Sequence, residues 1–205
     1  MRTQLARRIP LIALLFLLNG CAPINSIFPL YLPEDTAFDS RLIGNWQPAL
    51  TDPDTFDKNS RWFITKSGKD KFYDFKWGTA DAKGGFVAKA RLVQLGANLF
   101  IDFEGDDDSL EAPEKNQTAN IAPFPTISTH MIGRVWLEKD TLRIQFLSDD
   151  WIKKQVKAGT LSLAHVDPDG EPILIAKTDD LRKFMQAHAD DTDALSEKYE
   201  FKRVK

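Results

Sequence analysis

The chain has 205 residues, of which 42% are apolar and 28% charged, and its formal net charge is −3. The apolar fraction is too high for a disordered chain, and no run of about 18 apolar residues predicts an ordinary membrane-spanning helix. The mild acidity argues against a nucleic-acid-binding protein, and the single Cys excludes an intrachain disulfide framework or a Cys-rich zinc module. One globular domain is therefore expected.

Residues 1–20 have the pattern of a cleaved signal peptide. Arg2, Arg7 and Arg8 form a basic start, and residues 9–18 are apolar except for one Pro. A spanning helix needs about 20 apolar residues, whereas the apolar part of a secretory signal has about 7–15. Removing the segment removes three Arg and no acidic residue, so the charge of the mature chain becomes −6 (24 basic against 30 acidic residues).

The only Cys of the chain follows directly, in Leu18-Asn19-Gly20-Cys21. This tetrapeptide resembles the lipobox of bacterial lipoproteins, although Asn19 stands where Ala or Ser is more usual. The resemblance implies that Cys21 is lipidated and becomes the first mature residue, and that Ala22, which is not Asp, directs the protein to the outer membrane, facing the periplasm. The alternative is an ordinary secreted protein in which a Cys happens to follow the signal.

Residues 21–39 contain Pro23, Pro29 and Pro33 without a clear period. Such segments are extended and semi-rigid, so we expect a tether between the lipid and a β-rich domain at 40–205. Its apolar residues 28–32 suggest that part of the tether docks on the domain.

From about residue 42 onward, apolar residues alternate with period two, which predicts β-strands. The strongest patterns lie at 71–77, 86–93 and 141–147, and further strands are expected at 61–66, 99–104, 129–137, 160–165, 173–177 and 198–204. Short turn-prone breaks such as Ser67-Gly68-Lys69 favour antiparallel neighbours. The layout predicts an antiparallel barrel of about eight strands, with a β-sandwich as the alternative.

Two short helices interrupt the strands. Ser148 is expected to cap the first, which ends at Gly159. Thr178 is expected to cap the second, whose residues Leu181, Phe184, Met185 and His188 fall on one helical face.

The predicted first strand begins Gly44-Asn45-Trp46. A Gly-x-Trp at this point resembles the opening motif of lipocalins and the wider calycin barrels. The resemblance implies that Trp46 plugs one barrel end and that a late Arg, for which Arg203 is the candidate, packs over it. The Thr-Asp-Tyr signature of lipocalins is absent, and Trp46 could equally be an ordinary core residue. The whole chain also resembles small envelope lipoproteins, a likeness that implies no activity.

Motifs for catalysis or cofactor binding are absent from the sequence, including phosphate-binding loops and zinc-protease signatures. His130, His165 and His188 have no spacing typical of metal ligands, so no metal site and no cofactor are predicted. Seven carboxylates between Asp102 and Glu114 could bind calcium or act in pairs on a glycoside, but a solvated acidic loop is the better interpretation. The long connection at 105–128 presents Phe124 between two prolines as a candidate contact for a partner.

Two functions are consistent with these patterns. The first is a non-enzymatic, lipid-anchored barrel that binds a small apolar ligand through Trp46, Tyr73, Phe75 and Trp77. The second is an interaction module of an envelope assembly, with the loop around Phe124 as the contact surface. No nucleic acid is expected as a partner.

Overall fold

A computed structural model describes residues 23–49, 59–68, 71–80, 85–105 and 127–204. The predicted signal peptide, Cys21 and Phe124 lie outside these residues. The described chain forms twelve strands, two α-helices and short 3-10 turns.

Eight antiparallel strands close into a barrel, as the sequence predicts, and the β-sandwich alternative is wrong. In barrel order these strands are β3 (Gly44–Pro48), β4 (Ser60–Lys66), β5 (Phe72–Thr79), β6 (Phe86–Leu95), β7 (Asn98–Gly105), β8 (His130–Leu137), β9 (Thr141–Phe146) and β12 (Tyr199–Arg203). Closure comes from β12, which pairs with β9 on one side and with β3 on the other. Apart from this closing pair of β12 and β3, strands that are neighbours in the barrel are also consecutive in the chain, except that two helices and two short strands outside the barrel lie between β9 and β12.

The alternation of side chains explains why these segments pair as they do. In β5, Tyr73 and Phe75 point into the barrel, whereas Asp74 and Lys76 point outward. In β6, the small residues Ala88 and Ala90 face the interior opposite these rings, which leaves room for them. A slip of one residue in the register would expose the whole apolar set, so the pattern fixes the register.

The two ends of the barrel differ. At the closed end, a 3-10 turn at Ser40–Leu42 buries Leu42 against the interior. Short hairpins join β6 to β7 and β8 to β9 at this end. At the opposite end, called the mouth below, β5 ends at Thr79 and β6 begins at Phe86.

A second apolar core lies outside the barrel wall, beneath α1 (Asp149–Ala158) and α2 (Thr178–Ala187). The expected start and end of α1 are confirmed, because the Ser148 hydroxyl accepts the Trp151 N–H and Gly159 adopts the left-handed conformation. The expected cap of α2 is wrong: Thr178 is the first helical residue, and its hydroxyl donates to the carbonyl of Pro29. Neither helix in the described residues is long and apolar enough to cross a membrane.

A small ribbon extends the sheet beyond β8. It consists of β1 (Asn25–Ser26), β11 (Ile173–Leu174) and β10 (His165–Val166). The strand expected at 160–165 is wrong except for its last residue, because Leu163 is buried in the helix-side core without sheet pairing before His165. The strand expected at 173–177 covers only two residues.

From Pro23 onward, the segment expected to be a tether lies on the domain. Leu30 is fully buried, and its amide donates to the carboxylate of Asp102 at 2.6 Å. Strand β2 (Thr36–Ala37) then pairs with the end of β6. The expectation of a solvated acidic loop is wrong for Asp102: this residue lies in β7, is 1% exposed, and its carboxylate bonds His130 Nδ1 at 2.7 Å.

Candidate functional site

Four aromatic residues occupy paired positions on four successive barrel strands. Trp46 is paired with Trp62, Trp62 with Trp77, and Trp77 with Phe86. Their exposed fractions rise along the row, from 0% at Trp46 and 4% at Trp62 to 40% at Trp77 and 39% at Phe86. This set, called the aromatic row, therefore runs from the closed end of the barrel to its mouth.

Trp62 is the centre of the aromatic packing inside the barrel. Its ring lies 4.0 Å from that of Phe201, 5.0 Å from that of Phe75 and 6.0 Å from that of Phe103. Phe75 extends the cluster towards the mouth, where its ring lies 6.4 Å from that of Phe86. Such edge-to-face and tilted contacts each stabilise the packing by about 0.5–1.5 kcal/mol beyond burial. The interior around Trp62 is thus filled by rings, and the half-exposed members of the cluster lie at the mouth.

The indole Nε1–H of Trp62 is the exception in this well-packed region. It is buried and has no hydrogen-bond partner, the one such side-chain atom found in the described residues. A buried donor without an acceptor costs about 1–3 kcal/mol, and most buried donors in native proteins are paired. An acceptor brought to this position by a bound molecule would remove that cost.

The other buried indole, at the closed end, is fully satisfied. Trp46 Nε1 donates to the carbonyl of Leu42 at 2.9 Å, and the Arg203 guanidinium lies 4.2 Å over the indole ring. Arg203 also donates to the carbonyls of Ile43 and Arg41, at 2.6 and 2.5 Å. The contact between Arg203 and Trp46 was anticipated from the sequence and is confirmed. Trp46 and Arg203 therefore close this end of the barrel.

Gly44 makes the closed end possible. Its φ of +147° lies in the region that side-chain-bearing residues rarely adopt, and a Cβ there would overlap Nη1 of Arg203. A glycine at this position therefore lets the guanidinium reach the two carbonyl groups and the indole face.

Tyr73 is held at the same end by its hydroxyl group. It accepts the Asp39 N–H at 2.7 Å and donates to the Asp39 carbonyl at 3.1 Å, and its ring stacks on Phe38 at 5.3 Å. Burial raises the pKa of Tyr73 to about 12, because the phenolate would lose its hydration. The Arg41 side chain hydrogen-bonds Asp39 and lowers the pKa of that carboxyl group, although burial opposes the shift.

The four predicted ligand contacts all face the interior but fall into two groups. Trp46 and Tyr73 are fully buried with satisfied polar atoms at the closed end, whereas Phe75 and Trp77 lie towards the mouth. Sequence reasoning missed Trp62 and Phe86 as members of the site. Phe86 shares a strand face with the buried Ala88 and Ala90, but the sequence does not show that it pairs with Trp77.

The described residues on either side of the segment that holds Phe124 lie at the mouth. Gly105 and Thr129, near its two ends, are joined by a backbone hydrogen bond of 3.3 Å. Phe124 and most of the acidic residues from 106 to 114 lie outside the described residues, so their predicted roles stay predictions.

The histidines are bonded separately. His130 bonds Asp102, His165 bonds the carbonyl of Leu163, and His188 bonds Asp191. Across the described ranges, no group of three or more His, Cys, Asp and Glu side chains is placed to hold a metal ion.

An open cavity of about 290 Å³ lies on the outer wall, beside Trp136. The cations Arg134 and Lys198 lie 4.5 and 4.3 Å from this indole ring. Arg134 is already engaged by Asp190 and by Asn98. The lining of this cavity is mainly polar and charged, so the half-exposed aromatic rings at the mouth make the mouth the better candidate site for an apolar ligand.

Comparison of the chain with models of known protein families, with curated proteins and with solved structures found no match.

Proposed function

We propose that the protein is a non-enzymatic, lipid-anchored envelope protein that binds a small, mainly apolar molecule at the mouth of its barrel. The ligand would stack on Trp77 and Phe86 and present a hydrogen-bond acceptor to the Nε1–H of Trp62. The unpaired Trp62 donor is the single observation that carries this proposal.

The gradient of exposure along the aromatic row supports binding at the mouth rather than deep in the barrel. Trp77 and Phe86 retain about two-fifths of their surface in contact with solvent, although their strand positions face inward. Covering apolar surface is favourable by roughly 25 cal/mol per Å², so half-exposed aromatic rings at the barrel end offer a platform for an apolar ligand.

The predicted lipid on Cys21 would attach the protein to the envelope membrane. Cys21 is the only Cys of the chain and follows a signal-like segment. Replacing it by Ser should move the protein from the membrane fraction to the soluble fraction. Unchanged membrane association of Cys21→Ser would contradict lipidation as the anchor.

A matched pair of probes tests the role of the Trp62 donor. 1-Acetylnaphthalene carries a carbonyl acceptor, and 1-ethylnaphthalene has a similar shape without one. A net hydrogen bond contributes about 1 kcal/mol, so the ketone should bind about five-fold more tightly in equilibrium dialysis. The preference should disappear in Trp62→Phe, which keeps an aromatic ring at this position.

Trp136→Phe is the matched control, because Trp136 lies on the outer wall of the barrel beside a different cavity. It should keep the full preference for the ketone. Failure of both probes to bind the unmodified protein, or an equal preference in Trp62→Phe, would contradict the proposed site.

The close ring packing around Trp62 favours one alternative: the mouth takes an apolar side chain of an envelope partner instead of a free ligand. The rings of Phe75 and Phe103 are only 4.8 Å apart, which leaves the filled part of the barrel no depth for a long molecule. A photo-crosslinking residue at Trp77 would then give one specific protein adduct in intact cells, whereas a free ligand predicts none above background.

A further inference from the structure

The ribbon of β1, β11 and β10 has two chemically different faces. Ser26 is paired with Leu174, and both side chains are buried against the helix-side core. Neighbouring residues on a strand point to opposite faces, so the adjacent positions, including Ile173 and its partner Val166, point away from that core.

This second face is apolar. It carries four β-branched residues, called here the apolar ribbon face: Ile27, Val166, Ile173 and Ile175. Val166 is 45% exposed and Ile175 is 38% exposed, and Phe28 at the end of the ribbon is also exposed. Contiguous exposed apolar residues on a monomeric protein mark contact surfaces for proteins or membranes.

The position of Cys21 in the sequence indicates what covers the apolar ribbon face. Asn25 stands four positions after Cys21, and a fully extended chain covers about 3.3–3.6 Å per residue, which gives a reach of about 14 Å. Asn25 is the strand partner of Ile173, in the middle of the apolar ribbon face. A lipid on Cys21 would therefore hold this face within about 14 Å of the bilayer surface.

We infer that the apolar ribbon face rests on the lipid bilayer and fixes the orientation of the domain relative to the membrane. This inference depends on the proposed lipid anchor but not on ligand binding at the mouth. Apolar side chains on such a surface enter the boundary between headgroups and acyl chains, while the anchor prevents dissociation.

The charges near the ribbon specify the kind of bilayer. None of the described outward positions along the three strands and their immediate extensions is charged. These positions are Asn25, Ile27, Ala164, Val166, Ile173 and Ile175. The turn between β10 and β11 adds Asp167 and Asp169, and its Glu171 is paired with Lys153 at 2.7 Å. Lys177, two residues after Ile175, adds one positive charge, but acidic side chains still outnumber basic ones beside the face, so a zwitterionic bilayer is preferred over an anionic one.

The test uses the lipidated protein, purified from membranes and placed in phosphatidylcholine vesicles. Since lipidation blocks Cys21, a thiol introduced by Val166→Cys or Ile175→Cys can be labelled selectively with bimane. Lipids that carry nitroxides in their acyl chains then report contact by quenching. Lys139→Cys is the matched control, because Lys139 is exposed in the turn after β8. Strand β8 extends about 23 Å, at about 3.3 Å per residue, from His130, which pairs with the ribbon, to Leu137, and Lys139 follows that far end.

We expect the bimane at positions 166 and 175 to be quenched at least three-fold more than that at position 139. Equal quenching, or none at the ribbon, in protein whose Cys21 carries lipid by mass spectrometry overturns the docking face and leaves the anchor intact. A ribbon label that is shielded from water but not quenched points to a protein occupant and also overturns it. An unmodified Cys21 overturns both the anchor and the docking face, while binding of the naphthalene probes is judged separately.

Discussion

Replacing Gly44 by Ala tests the construction of the closed end. The new Cβ would occupy the position of Arg203 Nη1 and force the guanidinium away from Trp46. The change removes a cation–π contact of about 0.5–2 kcal/mol and weakens two charge-assisted hydrogen bonds. It also places a side chain at a φ of +147°, with a strain of about 1–3 kcal/mol.

The Arg203 side chain is about one-quarter exposed, so water partly compensates for the lost hydrogen bonds. We therefore expect Gly44→Ala to lower the free energy of unfolding by about 4 kcal/mol, of which about half comes from backbone strain. For a chain of this size, that loss corresponds to a Tm decrease of about 8–16 °C. Equilibrium urea denaturation followed by tryptophan fluorescence measures the change.

A double-mutant cycle with Arg203→Leu isolates the contact. In that background Gly44→Ala should cost only the strain, about 2 kcal/mol, giving a coupling energy of about 2 kcal/mol. Gly68→Ala is the control, because Gly68 also has a positive φ but has no atom within 4 Å of the new Cβ. Additivity of the two substitutions to within about 0.5 kcal/mol would refute the role assigned to Gly44.

Tyr73→Phe should reduce stability by about 1–2 kcal/mol at pH 7, because the amide of Asp39 loses its acceptor. The pKa of Tyr73 is raised to about 12 in the folded protein, so its contribution is complete below the unfolded value near 10 and is lost as the pH rises towards 12. Urea denaturation should therefore show a stability difference between wild type and Tyr73→Phe that shrinks above pH 10, and a constant difference would be contrary evidence. Asp102→Ala should lower the free energy of unfolding by about 2–3 kcal/mol and speed amide hydrogen exchange at Leu30, because it removes both side-chain oxygens, which bond Leu30 and His130. Unchanged exchange at Leu30 would show that Asp102 does not hold the N-terminal segment.

The barrel strands could be predicted because their signal is local. In β5 and β6 the inward and outward residues alternate without interruption. This alternation alone is enough to predict a strand with one buried face. The start and end of α1 are equally local, since Ser148 bonds an amide three residues later and Gly159 supplies the left-handed conformation.

The parts that could not be predicted depend on distant partners. Leu30 lies in a Pro-rich segment without periodicity, and its amide bonds Asp102, 72 residues further along the chain. Thr178 has the sequence pattern of a helix cap, but its hydroxyl is used by Pro29, a contact across 149 residues. A local pattern cannot reveal either contact.

Only part of the candidate site could be predicted from the sequence, because the rest depends on contacts between residues far apart in the chain. Alternation placed Phe75 and Trp77 on an inward face, but it could not show that Trp46 and Tyr73 belong to the closed end. Trp62 was missed because an unpaired indole N–H is a property of the packed interior and leaves no trace in the sequence.

A ligand at the mouth can be detected by mass spectrometry of the small molecules released when the protein, purified from its native envelope, is denatured. We expect one mainly apolar compound with a hydrogen-bond acceptor, recovered in near-stoichiometric amount from wild type and from Trp136→Phe, and strongly reduced in Trp62→Phe. Protein that is reproducibly empty, or a compound retained equally by Trp62→Phe, would contradict a ligand site at the mouth of the barrel.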